Sequence, residues 1–307
     1  MANTLQAPRA VIMIRPHAFR PNAETSRDNA YQAAAKGTAA EVARTARDEH
    51  DAAVASLRTA GITVHVFDDD GSRDTPDSVF PNNWFSSHPG GSVGVYPMYP
   101  ASRRRERRSD VIEMLKTTYR VETIYDYSGL EHDDLFLEGT GAMVLDHVSR
   151  IAFVAKSNRA DPIVLERFCT HFGYEPIAFD AADASGVPVY HTNVLMCIGT
   201  DFALVGLDMI TDFARRDVII RRLTETGRDV IALSPDQIAN FAGNAIELTG
   251  TTGRYLVLSR RAADALTPRQ RDRIERSARL LPLTLPTIEC AGGSARCMIA
   301  GVHLTQR

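Results

Sequence analysis

The stretch "EGTGAMVLDHVSRIAFVAKSNRADPIVLERFCTHFGYEPIAFD" (138–180) contains one complete structural unit. A small polar turn, Glu138 to Gly141, leads into the apolar run "AMVL", and a second apolar run, "IAFVA", follows a short polar link. Short apolar runs bounded by turn residues predict buried strands. Asp161-Pro162 then places an N-cap ahead of a proline at the first helical position, and Gly173 stops the helix. "YEPIAFD" supplies a third strand, so the unit reads β-β-α-β.

The same pattern returns along the chain. Its opening turns are "PNNWFSSHPG" (81–90), "EGTGAMVLDH" (138–147), "YHTNVLMCIG" (190–199), "FAGNAIELTG" (241–250) and "GGSARCMIAG" (292–301). With Asn83, Gly141, Asn193, Asn244 and Ala295 as equivalents, the intervals are 58, 52, 51 and 51 residues. A near-constant period of this size marks a repeat architecture. After "NNWFSSHPG" come "SVGVYPM", a helix from about Ser109 and "RVETIYDY". After "HTNVLMCIG" come "FALVGLDM", a helix ending at Gly227 and "DVIALS". After "NAIELTG" come "RYLVLS", a helix opened by the capping box Thr267-Pro268-x-Gln270, and "LPLTLP". The fifth unit is split between the termini. "SARCMIAGVHL" provides its first strand, "RAVIMIRP" the second, residues 38–60 the helix and "ITVHVFDD" the last strand. Pairing the two ends removes exposed strand edges. The expected fold is therefore a five-bladed α/β propeller, one domain over residues 1–307, in preference to an open α/β sheet with similar alternation.

Of 307 residues, 44% are hydrophobic and 24% charged, and the formal net charge is -3, which gives no global reason to bind nucleic acid. The basic run "RRRERR" (103–108) is local. The N-terminus lacks the apolar core of a signal peptide, and no 18 apolar residues occur together. Four cysteines without CxxC spacing make no disulfide framework, which fits a cytoplasmic protein with reduced thiols. "EHDD" (131–134) and "DH" (146–147) match no metal-ligand spacing, and no phosphate-cradling glycine motif occurs, so neither metal nor cofactor is expected.

Equivalent turns of a ring converge on one axis whatever their separation in sequence. That geometry gathers Asn82, Asn83, Glu138, His191, Asn244 and Cys297 into one candidate site. A cysteine beside a histidine suits nucleophilic catalysis, because the imidazole generates the thiolate and then hands its proton to a leaving group. A carboxylate such as Glu138 orients the imidazole or a substrate N–H. Cys169 and Cys197 fall in core segments and Cys290 has no matching turn position, which leaves Cys297 as the nucleophile. Arg296 beside it favours the thiolate. The polar loop 68–80 has the character of a lid.

"PDSVFPNNWFSSH" (76–88), "LFLEGTGAMVLD" (135–146), "AKSNRAD" (155–161), "VYHTNVLMCIG" (189–199) and "GGSARCMIAG" (292–301) appear in an order and spacing that resemble the guanidine-modifying (amidinotransferase/arginine deiminase) superfamily over essentially the whole chain. The closest resemblance is to its citrulline-utilisation hydrolase branch. The resemblance implies a pentein propeller in which Cys297 attacks the carbon of an amidino or ureido group. It also implies His191 as acid and base, and Glu138 as the carboxylate at the reacting head group. Arg103 or Arg104, after "YPAS", and Arg159 in "SNRAD" then match arginines that fix the amino-acid end, and Asp77 matches a substrate-loop aspartate. Bidentate pairing to an α-carboxylate suits either arginine.

The departures bear on substrate. Asn82 and Asn83 stand where deiminases and dimethylarginine hydrolases carry acidic residues, Gly141 replaces a second carboxylate, and Asn193 replaces an aspartate. Burying a guanidinium without paired carboxylates costs several kcal/mol. A ureido group is neutral, and asparagine amides satisfy both its carbonyl and its N–H groups. The expectation is hydrolysis of citrulline to ornithine, ammonia and carbon dioxide. The alternative is an arginine deiminase or dimethylarginine hydrolase that produces citrulline, and outside enzymes a propeller-type binding protein. The expected partner is a small amino-acid substrate, with neither nucleic acid nor membrane, and a homo-oligomer is compatible with the sequence.

Overall fold

A computed structural model describes residues 5–307. Its strands are β1 (Ala10–Arg15), β2 (Thr63–Asp68), β3 (Phe85–His88), β4 (Ser92–Val95), β5 (Thr123–Asp126), β6 (Met143–Asp146), β7 (Ile151–Ala155), β8 (Glu175–Phe179), β9 (Met196–Ile198), β10 (Phe202–Val205), β11 (Asp229–Ala232), β12 (Ile246–Gly250), β13 (Gly253–Ser259), β14 (Arg279–Leu283) and β15 (Ala300–Val302). They form five three-stranded sheets, β3-β4-β5, β6-β7-β8, β9-β10-β11, β12-β13-β14 and β15-β1-β2. In each, the first strand runs antiparallel to the second and the third runs parallel to it, as in β6-β7-β8, where Val144 opposes Phe153 and Phe153 opposes Ile177. In the fifth, Ala10 opposes Val302 and also lies beside Thr63, so the two ends of the chain complete one sheet. This is a mixed α/β fold of five ββαβ units. No helix among the described residues is long and apolar enough to cross a membrane.

Each parallel pair is bridged by a helix whose ends follow local rules. Thr38 and Glu41 form a capping box ahead of Ala39–Thr59, and Thr267 with Gln270 does the same for Pro268–Glu275. Asp161 caps Pro162–Phe172, which ends on Gly173 at φ +67°. Val164, Leu165, Phe168, Cys169 and Phe172 form the buried face of that helix, and each large apolar side chain removed from water contributes about 1.5–3 kcal/mol.

The turns that open the first strands are tighter than polar loops. Pro81–Asn83, Gly139–Ala142 and Thr192–Leu195 are each about one helical turn. Neighbouring turns are tied together directly, for Thr192 Oγ1 donates to the Ala142 carbonyl (2.5 Å) and accepts from the Ala155 N–H (2.7 Å). Gly139, at φ +44°, lets its turn press on the next, and a Cβ there would lie 2.5 Å from the Asn82 carbonyl oxygen. The last unit departs from the expected strand. Residues 294–299 coil in successive turns, with the Cys297 N–H donating to Ser294 O (3.0 Å) and Ile299 N–H to Arg296 O (3.2 Å). Cys297 therefore precedes β15 rather than lying on it.

Candidate active site

Glu138 and His191 occupy the same place in two units, each as the N-cap of the one-turn helix that opens a first strand. His191 Nε2 lies 2.7 Å from Glu138 Oε2, and Glu138 Oε1 accepts from the Tyr99 N–H at 2.9 Å. An ionised carboxylate only accepts, so Nε2 carries the imidazole hydrogen. Nδ1 keeps its lone pair, 3.3 Å from the Asn83 Nδ2 donor. Gly141 makes room for this arrangement. A Cβ there would sit 2.8 Å from His191 Nδ1 and 2.7 Å from Asn83 Nδ2.

Cys297 is held by two amides from other units. Asn244 Nδ2 donates to Sγ at 3.1 Å and Asn193 Nδ2 at 3.4 Å. Asn244 Oδ1 in turn accepts the backbone N–H of Arg296 (3.0 Å) and of Cys297 (3.4 Å), so one side chain fixes both the sulfur and its backbone. The thiol borders a cavity of about 20 Å³, room for about one water, together with Asp77, Asn83, Arg103, Arg159 and His191.

Behind the cavity wall, charge is concentrated around Glu138, the shared partner of Arg103, Arg159 and His191. Burial alone would raise its pKa, but Arg159, the bond to His191 and Arg103 overcome that and hold it at about 2. The Nη1 atoms of Arg159 and Arg103 stand 3.6 and 3.9 Å from Glu138 Oε2. Burial lowers the His191 pKa, and the two guanidinium groups add to this against the pull of Glu138. A neutral imidazole beside an ionised carboxylate is an oriented base.

Both arginines already carry a carboxylate on their Nε/Nη2 edge. Arg103 grips Glu106 at 2.9 and 2.9 Å, and Arg159 grips Asp28 at 2.8 and 2.5 Å while its guanidinium covers the Tyr190 ring at 4.9 Å. Burial raises the Glu106 pKa to about 7, with Arg103 opposing it. Asp77 is also buried, which raises its pKa. Its Oδ2 accepts from Asn22 Nδ2 at 2.9 Å, and its Oδ1 has no protein partner. Arg104 lies outside. It is half-exposed, and its guanidinium donates to the carbonyls of Met98 and Tyr99. Asn82 is buried beneath the cavity wall rather than lining it, with both amide atoms unpartnered by protein, as are Asn83 Oδ1 and Asn193 Oδ1.

Sequence reasoning passed over three contributors. Glu106 sits in the basic run, and Asp28 and Asn22 come from the segment between β1 and the helix at 39. That segment carries no periodic apolar pattern, and its length without secondary structure was the available signal. The 68–80 loop is internally tied, since Asp69 Oδ2 accepts from Ser78 Oγ (2.6 Å) and Thr75 Oγ1 (3.1 Å), and it delivers Asp77 to the cavity.

Comparison with known proteins places the chain in a family. The family described as N,N dimethylarginine dimethylhydrolase, eukaryotic, matches residues 15–304. Comparison with curated protein sequences finds no match. Among solved structures, the N-terminal domain of ArgZ, an arginine dihydrolase from the ornithine-ammonia cycle in cyanobacteria, shares the fold at a TM-score of 0.73 and 16% identity, over 96% of this chain and 99% of that one. Against apo ArgZ the TM-score is 0.72 at 16% identity, over 95% of this chain and 40% of that longer one. A dimethylarginine dimethylaminohydrolase variant bearing an S-methyl-L-thiocitrulline adduct matches at 0.67 and 13% identity, over 95% and 99% of the two chains. With a family match that runs from β1 to beyond β15, the chain belongs to the N,N dimethylarginine dimethylhydrolase (eukaryotic) family, and through it to the guanidine-modifying pentein superfamily of arginine-related hydrolases.

Proposed function

We propose that the protein is a cysteine hydrolase of the terminal ureido or guanidino carbon of an arginine-like amino acid, with citrulline as its preferred substrate. The observation that carries this reading is the Cys297 sulfur, held by Asn193 and Asn244 and bordering the same cavity as His191, which is paired with Glu138. Asp77 and the arginine edges of Arg103 and Arg159 offer complementary charge to an α-ammonium and an α-carboxylate, which places the reacting end at Cys297. As sulfur attacks the ureido carbon, His191 Nδ1 takes the thiol proton. It returns that proton to the departing δ-nitrogen as the C–N bond breaks, which frees ornithine and leaves a carbamoyl thioester on Cys297. Water, deprotonated by His191, then cleaves the C–S bond, and the carbamate released decomposes to ammonia and carbon dioxide. Asn83, Asn193 and Asn244 amides supply donors for the developing oxyanion.

The neutral head group is favoured because Glu138, the carboxylate at the reacting end, is already engaged by His191 and two guanidinium groups. A second reading, action on arginine or dimethylarginine, is favoured by the unpartnered Asp77 oxygen and by the arginine dihydrolase and dimethylaminohydrolase names of the similar structures. Incubation with citrulline, arginine and dimethylarginine separates them. Ornithine from citrulline, lost in Cys297→Ser, supports the first. Turnover of the arginine compounds with citrulline left intact refutes it.

A further inference from the structure

The five first strands β3, β6, β9, β12 and β15 enclose a second cavity, of about 50 Å³, that shares no lining residue with the catalytic one. Room of that size holds several waters or one small ion. The Arg296–Cys297 peptide is the partition between the two, because Arg296 borders the axial cavity while Cys297 borders the catalytic one.

Arg296 is unusual among the enclosed guanidinium groups. Arg103, Arg159 and Arg228 are buried, and each is matched by a carboxylate, Glu106, Asp28 and Asp146 in turn. Arg296 donates Nη1 to the Ile299 carbonyl at 2.8 Å and has no carboxylate partner among the described residues. The ionisable groups that act on it are the Cys297 and Cys197 thiols, and burial pulls its own pKa down. A partly enclosed guanidinium without a counter-ion is costly unless something neutralises it.

Two histidines and a glutamate complete the polar part of the wall. The His147 and His303 rings lie 3.8 Å apart. Each is anchored through Nδ1, His147 to the Tyr174 hydroxyl (2.8 Å) and His303 to the Leu5 carbonyl (3.0 Å). Burial and neighbouring positive charge, Arg296 included, keep both rings neutral. The acidic member of the wall, Glu247, is engaged through one oxygen. Its Oε2 accepts from the Thr200 N–H (2.7 Å) and Oγ1 (2.6 Å), and its Oε1 lies 3.6 Å from Arg254 Nε.

We infer that the axial cavity is a binding site for a small inorganic anion, held by the Arg296 guanidinium beside the His147 imidazole, whose Nδ1 accepts from the Tyr174 hydroxyl and so leaves Nε2–H as a donor. Its occupation acts on the catalytic thiol. Arg296 is bonded through its backbone N–H to Asn244, which holds the Cys297 sulfur, and its guanidinium interacts electrostatically with that sulfur. An anion that neutralises Arg296 cancels that interaction, so small anions slow the nucleophile without entering the catalytic cavity.

The test uses bromide as the probe and does not depend on the substrate. Crystals of the wild-type protein soaked in sodium bromide are expected to show an anomalous peak beside the Arg296 guanidinium. In solution, at fixed pH and ionic strength, bromide is expected to slow iodoacetamide alkylation of Cys297 saturably by about threefold or more, because the thiolate is the reactive form. Camphorsulfonate, too large for the cavity, is expected to leave the rate unchanged. Arg296→Gln is expected to abolish the bromide dependence. A bromide peak confined to the catalytic cavity, or no peak, overturns the inference. So does an equal effect of bromide and camphorsulfonate, or a bromide dependence that survives in folded Arg296→Gln.

Discussion

Replacing Glu138 by glutamine removes one charge from the centre of the site and leaves two buried guanidinium groups facing a neutral amide. At an effective dielectric constant of about 20, contacts of 3.6 and 3.9 Å to Arg159 and Arg103 are each worth about 4–5 kcal/mol. Against that, the variant is spared the desolvation of a fully buried carboxylate, itself several kcal/mol. Breaking a buried ion pair of this kind leaves a net loss of roughly 3–5 kcal/mol. In a chain of this size that corresponds to a fall in Tm on the order of 10 °C. The sign with pH follows from the depressed pKa. Glu138 falls from an ordinary 4.5 to about 2, so its contribution is complete above about pH 4.5 and is lost as pH falls through about 2. Urea denaturation of wild type and Glu138→Gln at neutral pH and in acid should therefore converge as the acid form of the wild type is approached. Turnover should fall by about two to four orders of magnitude, because the ionised partner that fixes the His191 tautomer and stabilises its protonated form is gone. A variant within about 1 kcal/mol of wild type in stability, or within tenfold in turnover, would falsify this account of Glu138.

Gly141→Ala places a methyl 2.8 Å from His191 Nδ1, which displaces the imidazole; turnover should fall about 100-fold while the fold persists by circular dichroism, and an unchanged rate would rule out the crowding argument. Asn244→Asp brings a carboxylate to within about 3 Å of the sulfur and disfavours the thiolate, so alkylation of Cys297 by iodoacetamide should slow by about tenfold or more at neutral pH. Arg159→Lys exchanges a planar fork for a point charge that cannot span Asp28 and a substrate carboxylate. KM should rise about tenfold with a smaller change in kcat, and a loss confined to kcat would place Arg159 outside substrate binding.

The chain's local chemistry was legible before folding. Proline after Asp161, the Thr38 and Thr267 capping boxes and Gly173 set helix ends through contacts a few residues long, which any reading of neighbours recovers. The period near 51 residues and the complementary termini gave the five ββαβ sheets, including the one built from β15, β1 and β2. Cys297 was expected on a strand because "CMIAGV" is apolar, yet Ser294 O captures two N–H groups and coils it into a turn.

Convergence of side chains was decided by tertiary structure. Arg103 and Arg104 are adjacent on one short helix, and consecutive helical residues point about 100° apart, so one enters the cavity while the other stays at the surface. Asp28, Glu106 and Asn22 reached the site from segments with no matching turn, through pairings dictated by uncompensated guanidinium and carboxylate groups that had to be neutralised once buried. Arg296 and Cys297, neighbours in sequence, were turned toward opposite cavities by the same coil. The repeating unit and the residue types at its turns are readable along the chain, because they follow from short-range sterics and periodic burial. Which atoms meet at the axis was decided only by the packing of five units around it, where the distances between charges exist.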